Sequence, residues 1–411
     1  MVIVLLMTLL ATAYLGYVVN PEKHLHGFPL AVVNQDDGDV LGGKPTNVGA
    51  QITDAFVREV PADKIDLRVV GIAEAQRQLQ RGEVYGAIVI PSDFTKRLGI
   101  FATASVVPGD VTQPMITVNT NPRTGTFATQ IVVKIAEQVL AKTNDSVGAQ
   151  IAAMVNAQLG AGGQTPAEMV GLSRLMLAQP IHVVVAPFHP LPEGTGNGLT
   201  PFFYALMLLL AGFTGAMVIN SLIDSALGFA PTEIGPKYSN IPAAPISRLR
   251  TLLVKWAIMA GVAPVVSGIY MAVGHWLGMP LDRPLALFLY SVFAIVAVGI
   301  TALSVLAALG SAGLLVNLVL FIVLGLPSSG GTIPIEATPK AVAWLANFEP
   351  MHQVYLGIRA ILFFDGPDDA GLSHAVWMTM FGLAVGLVLG GAVTRYYDHK
   401  GLDRRPDRSA A

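Results

Sequence analysis

The run Gly38-Asp39-Val40-Leu41-Gly42-Gly43-Lys44 fits G-x-x-x-x-G-K, the loop that cradles nucleotide phosphates when it joins a strand to a helix. The chemistry fails at the next residue. Pro45 stands where a Ser or Thr hydroxyl would hold magnesium, and Asp36, Asp37 and Asp39 would repel a phosphate. The stretch reads instead as a polar turn after an edge strand. No G-x-S-x-G elbow, H-E-x-x-H helix or zinc-spaced cluster occurs, the eight histidines are scattered, and there is no cysteine. With no catalytic, cofactor-binding or metal-binding constellation to assemble, the sequence argues against an enzyme.

The remaining candidates are polar residues inside apolar runs, where they are costly and usually face a bundle interior or a cavity. Asn220 and Asp224 stand one helical turn apart and share a face. Asp224 either sits at headgroup level and pairs with Arg248 or Arg250, or is buried and titratable, as a proton-coupled exporter would require. His275 is read as interfacial or as functional, and Asn317 as a hydrogen-bonding link between helices. Glu349, His352 and Arg359 share an interrupted segment with Trp344, Phe348, Tyr355, Phe363 and Phe364. That segment is either an interfacial amphipathic helix with its aromatics at headgroup depth, or a gate at an outer exit. Glu349 and Arg359 would stand about 15 Å apart on one helix, so a direct pair needs a break between them or a partner from elsewhere. Lys237, Arg248 and Arg250 form a basic loop, which obeys the positive-inside rule, touches anionic lipid, and is where a cytoplasmic ATPase would dock.

The elements that must position these residues are those of a membrane protein. Of 411 residues 53% are hydrophobic and only 13% charged, against about 25% charged in a soluble chain. The net charge of −2 is uninformative, because position matters more than sum. Residues 1–19 predict a first span, with Ala11-Thr12-Ala13 as a competing cleavage site of a signal peptide. Their abrupt apolar start predicts a short cytoplasmic leader before them. Residues 20–199 predict a soluble domain of β-branched runs (30–34, 65–70, 85–91, 115–119 and 181–187) alternating with helical patterns, including a long one from about Thr124 to Leu159. Further spans are expected at about 201–227, 251–278, 285–308, 311–326 and 373–393 within a transmembrane domain of residues 200–396, followed by a basic tail at 397–411. Residues 327–364 are too polar and broken to span and read as an outer re-entrant or interfacial element. The basic residues of 228–255 and of the tail lie four expected spans apart, which puts both in the cytoplasm and 20–199 outside. The fold class is therefore an α-helical polytopic membrane protein of about six transmembrane helices, with an α/β or α+β extracytoplasmic domain between helices 1 and 2.

Five stretches stand out in order along the chain: AVVNQDDG (31–38), YGAIVIPSDF (85–94), HPLPEGTGNGLTPFFYAL (189–206), LPSSGGTIPIEATP (326–339) and FEPMHQVYLGIRAILFF (348–364). Together they resemble the phage-infection-protein family and the related nitrosoguanidine-resistance membrane proteins of the type-2 ABC exporter permease superfamily. The resemblance implies one span, an extracytoplasmic domain and then five spans, with a role in export or in the cell envelope. The resulting expectation is a permease subunit in the cell membrane exporting a lipid-like, amphipathic or drug-like substrate or envelope component, energised by a separate ATPase. The alternative is a non-transporting scaffold or receptor whose external domain binds an envelope partner. Expected partners are membrane lipids, a cytoplasmic ATPase in trans and a second permease in a homodimer or heteromer; nucleic acid is not among them.

Overall fold

The computed structural model describes residues 1–104, 112–161, 179–364, 370–402 and 404. It divides into two compact units, Pro21–Leu191 on one hand, and Met1–Asn20 with Pro192–Ala411 on the other.

Pro21–Leu191 is built on a five-stranded sheet. Its strands are β1 (Phe28–Asn34), β4 (Ile65–Val69), β5 (Gly86–Ile90), β6 (Met115–Thr120) and β7 (His182–Pro187), in the order β4-β1-β5-β6-β7. β1 runs parallel to both neighbours, with Phe28 opposite Ile65 and Ala31 opposite Ala87; β6 is antiparallel to β5, and β7 is parallel to β6. A strand covered on both faces reads as a continuous apolar run, as FPLAVVN does. Helix α3 (Ile72–Arg81) sets Ala75 and Leu79 against Ala31, Val33 and Ala87 on one face. Helices α2 (Val48–Glu59), α4 (Phe94–Ala104) and the long α5 (Thr126–Ala161) pack against one another.

The polar turn expected after an edge strand follows an interior one, since β1 lies between β4 and β5, and Asp36 within it is buried. Gly42 and Gly43, at φ 56° and 81°, close a hairpin between β2 (Asp39–Leu41) and β3 (Lys44–Thr46), the conformation of a tight two-residue turn. Lys44 opens β3, and α2 begins at Val48 with Asn47 as its N-cap. Asp36 is buried and accepts from the backbone N–H of Gly38 (3.3 Å), Gly49 (2.9 Å) and Thr95 (3.0 Å), and from the Thr95 hydroxyl. Gly49 fits because a Cβ there would lie 2.5 Å from the Asp36 Cβ. Asp36→Ala would strand these donors and should cost about 3 kcal/mol, lowering the unfolding midpoint of this unit by about 6–12 °C, as read by protease cleavage on warming. An unchanged midpoint would show the carboxylate to be replaceable by water.

The other unit is helical. Among the described residues four of its helices are long and apolar enough to cross a membrane: α6 (Thr200–Ala226), α7 (Arg248–Trp276), α8 (Pro284–Leu309) and α13 (Leu372–His399). Two shorter apolar helical stretches are Val4–Val18, within α1 (Val2–Val18), and Ala312–Ser328. The latter is α9 (Ala312–Leu318), a π-turn (Val319–Val323) and α10 (Gly325–Ser328), helical backbone that runs on through the turn over the stretch where a span was expected at 311–326. The 327–364 segment folds into α11 (Lys340–Ala346) and α12 (Pro350–Phe363). A hairpin of β8 (Thr232–Ile234) and β9 (Lys237–Ser239) occupies the basic loop, and α13 continues to His399, past the expected start of the tail at 397. α8 is the centre, packing on α6, α7, α9, α12 and α13. Close approach needs small residues: a Cβ on Gly212 would lie 2.7 Å from Val298, and one on Gly386 would lie 2.5 Å from the Thr301 hydroxyl.

Candidate functional site

The polar candidates gather in two places within the helical unit. At the end of α6, Asn220 and Asp224 do share a face, and both meet Lys255 of α7. Its Nζ donates to Asn220 Oδ1 at 2.8 Å and to Asp224 Oδ1 at 2.6 Å. Arg404 Nη1 reaches the same Asp224 oxygen at 2.7 Å. The Lys255 side chain is only 4% exposed and that of Asp224 14%. The expected pairing of Asp224 with Arg248 or Arg250 is thus corrected. Arg248 opens α7 and turns to the C-terminal segment, donating Nε to the Leu402 carbonyl at 2.6 Å and lying over the Tyr397 ring. Asp398 caps the same helix start, accepting from the backbone N–H of Arg248 and Leu249, alongside the Ser247 cap. Lys255 lies two turns further along the same face of α7, deep enough to meet Asp224. It was legible as a charge inside an apolar run, which needs a buried partner. Arg250 and Lys237 are exposed.

The second gathering is the start of α12. Glu349 is its N-cap, with Oε2 accepting from the backbone N–H of Met351 at 2.6 Å and His352 at 3.2 Å. His352 Nδ1 meets the Ser329 carbonyl at 2.9 Å. Gln353, which the sequence reading passed over, donates Nε2 to the carbonyls of Ala346 (3.0 Å) and Asn347 (3.2 Å). Arg359 lies over the Tyr355 and Phe364 rings, 5.6 and 5.8 Å from their centroids. Glu349 and Arg359 are both buried and, among the described residues, form no ion pair, so the direct pair weighed in the sequence is replaced by a cap and a ring stack. Of the aromatics in this segment Tyr355, Phe363 and Phe364 are buried, while Trp344 and Phe348 are exposed.

Buried polar atoms are nearly always paired, so exceptions mark sites. Among the described residues six buried side-chain atoms lack a partner, and three of them are Glu349 Oε1, Gln353 Oε1 and Arg359 Nε. Ser328 beside Glu349 gives its proton to the Leu324 carbonyl at 2.7 Å, which leaves Glu349 Oε1 without a donor.

Asn317 is buried and donates to the Ala302 carbonyl at 3.0 Å, linking α9 to α8, whereas His275 is exposed at the end of α7. No group of three His, Asp or Glu side chains among the described residues is placed to hold a metal. Next to the α12 start lies a cavity of about 190 Å³, walled by α8, the π-turn, α12 and α13.

The model of a family described as ABC-2 family transporter protein matches residues 1–391. Comparison with curated proteins and with solved structures gives no match.

Proposed function

The chain belongs to the ABC-2 transporter family and is a membrane permease subunit; on that premise we propose that it exports a lipid-like, amphipathic or drug-like molecule or envelope component, driven by a separate cytoplasmic ATPase. The observation that carries the export reading is an apolar cavity of about 190 Å³ walled by α8, α12 and α13, two of them membrane-length helices. Permeases of this family generally work with an ATPase in trans. In the finer reading the chain is of the phage-infection-protein type, with Val4–Val18 and Ala312–Ser328 crossing the membrane to give six spans. Pro21–Leu191 is then extracytoplasmic, and 228–250 and the tail are cytoplasmic.

The same reading makes 327–364 re-entrant. Pro350 lines one cavity with Thr301 and Gly382. Thr301 is about 25 Å along α8 and Gly382 about 15 Å along α13, so the start of α12 is level with the middle of those helices. Reporter fusions at positions 160 and 330 should read as external and a fusion at Ser239 as cytoplasmic. An internal reading at 330 would remove the Ala312–Ser328 span.

The ATPase is expected at the exposed side chains of the basic loop. Charge reversal of Lys237 and Arg250 together should cut export about tenfold or more while leaving membrane insertion and the ATPase's basal hydrolysis intact, because a desolvated interfacial charge contact is worth several kcal/mol. Arg248 is the wrong residue for this test, since it also holds the Leu402 carbonyl and packs on Tyr397. Full export by the double variant, with an ATPase still co-purifying, would move the docking site elsewhere.

A further inference from the structure

Among the described residues of the helical unit two cations are buried, Lys255 and Arg359. Lys255 has Asp224, whereas Arg359 has no carboxylate. A buried charge is normally paired, so the exception marks a place that lacks an anion. The guanidinium lies over the Tyr355 and Phe364 rings, 5.6 and 5.8 Å from their centroids. The rings hold the fork and offset part of the cost of burying it, but they carry no counter-charge. Of its three nitrogens, Nε is shut away from the surface without an acceptor. Nη1 and Nη2 differ from it. They make no hydrogen bond or ion pair with the described residues, yet they are not among the atoms shut away, so the 9% of Arg359 that stays exposed includes them. Such a fork, held and reachable, suits two parallel N–H bonds to one oxyanion. The titratable groups gathered with it are imidazoles. His352, Tyr355 and Arg359 share one face of α12, and His352 is close enough to both Arg359 and His374, near the start of α13, to feel their charge. Glu349, the only carboxylate in 349–364, is committed to the cap, about 15 Å away along the helix.

We propose that Arg359 is the binding site of an oxyanion, the phosphate or carboxylate of a molecule that reaches α12, gripped by Nη1 and Nη2. This goes beyond the apolar cavity, whose lining carries no charged side chain. It gives the molecule handled here an anionic head. The inference rests on the permease reading for its purpose alone.

The test uses the full chain in nanodiscs of a zwitterionic lipid, photolabelled with a diazirine-bearing octyl phosphate and with the uncharged octanol of the same chain. The phosphate should label residues 352–364 saturably and half-saturate at about one tenth the concentration of the alcohol or less. Arg359→Gln should abolish that preference, and Arg359→Lys, which keeps the charge without the fork, should retain part of it. The lysine variant keeps the test readable if the glutamine variant folds poorly. Two competitors separate the sources of the anion. Displacement by inorganic phosphate assigns a water-borne anion, and displacement only by phosphatidic acid added to the nanodisc assigns a lipid headgroup. Displacement by neither, equal half-saturation of phosphate and alcohol, or a preference that survives Arg359→Gln would overturn the site. Asp365, Asp368 and Asp369 come next in the sequence, and changing all three to Asn should leave the labelling as in the parent. Phosphate labelling that appears only in that variant would make those carboxylates the anion, and would equally overturn the site. Photolabelling needs neither ATPase nor transport, so labelling without export would remove the export reading and leave the site. Export without a preference for the phosphate would do the reverse.

Discussion

Lys255→Met is expected to cost the helical unit about 3–5 kcal/mol and to lower its unfolding midpoint by roughly 10 °C in a detergent or nanodisc melt. The reason is the company the ammonium keeps. Lys255 is buried between Asn220 and Asp224, so removing it leaves a nearly buried carboxylate with Arg404 as its remaining cationic partner. Asp224→Leu should cost a similar amount for the mirror reason, leaving a buried ammonium beside Asn220 alone. The two losses should not add. A buried pair replaced by apolar side chains of similar volume is often neutral in stability, so Lys255→Met with Asp224→Leu should recover most of the deficit. Single variants melting within about 2 °C of the parent would mean that water or lipid headgroups already compensate the pair. Additive losses in the double variant would assign the cost to packing instead of charge.

The second large effect is at the start of α12. Glu349→Ala removes the side-chain oxygen that accepts from the Met351 and His352 N–H groups and should cost about 1–2 kcal/mol, lowering the unfolding midpoint of the helical unit by about 2–8 °C in a nanodisc melt. Glu349→Gln keeps an acceptor for both N–H groups and should recover most of that loss. Equal losses in the two variants would show that the cap oxygen is not what the site needs.

The membrane class, the α/β character of the N-terminal insertion and the approximate extents of the long helices were legible in the sequence. The mismatches of the G-x-x-x-x-G-K run, Pro45 and three aspartates, are likewise local facts of the sequence. These are properties of composition and short-range periodicity, and a window of neighbouring residues contains them. What neighbours Asp224 is different in kind. Arg248, Arg250 and Lys255 are all near in sequence, and only the depth at which α7 crosses α6 selects Lys255; Arg404 comes from the far end of the chain. The same holds for Asp36, whose donors come from Gly38, Gly49 and Thr95, so that its burial depends on α2 and α4, which no local window contains. In the 327–364 segment the sequence announced polar residues that could not face lipid, without saying whether Glu349 and Arg359 would pair. Packing decided that: a proline-led helix start takes one Glu349 oxygen as its cap, two aromatic rings take the Arg359 guanidinium, and Gln353, an unremarkable residue in the string, is left with a buried acceptor. Helix periodicity sets which residues share a face, but the free energy of a buried polar atom depends on which other element supplies, or fails to supply, its partner, and that is settled only when the helices pack.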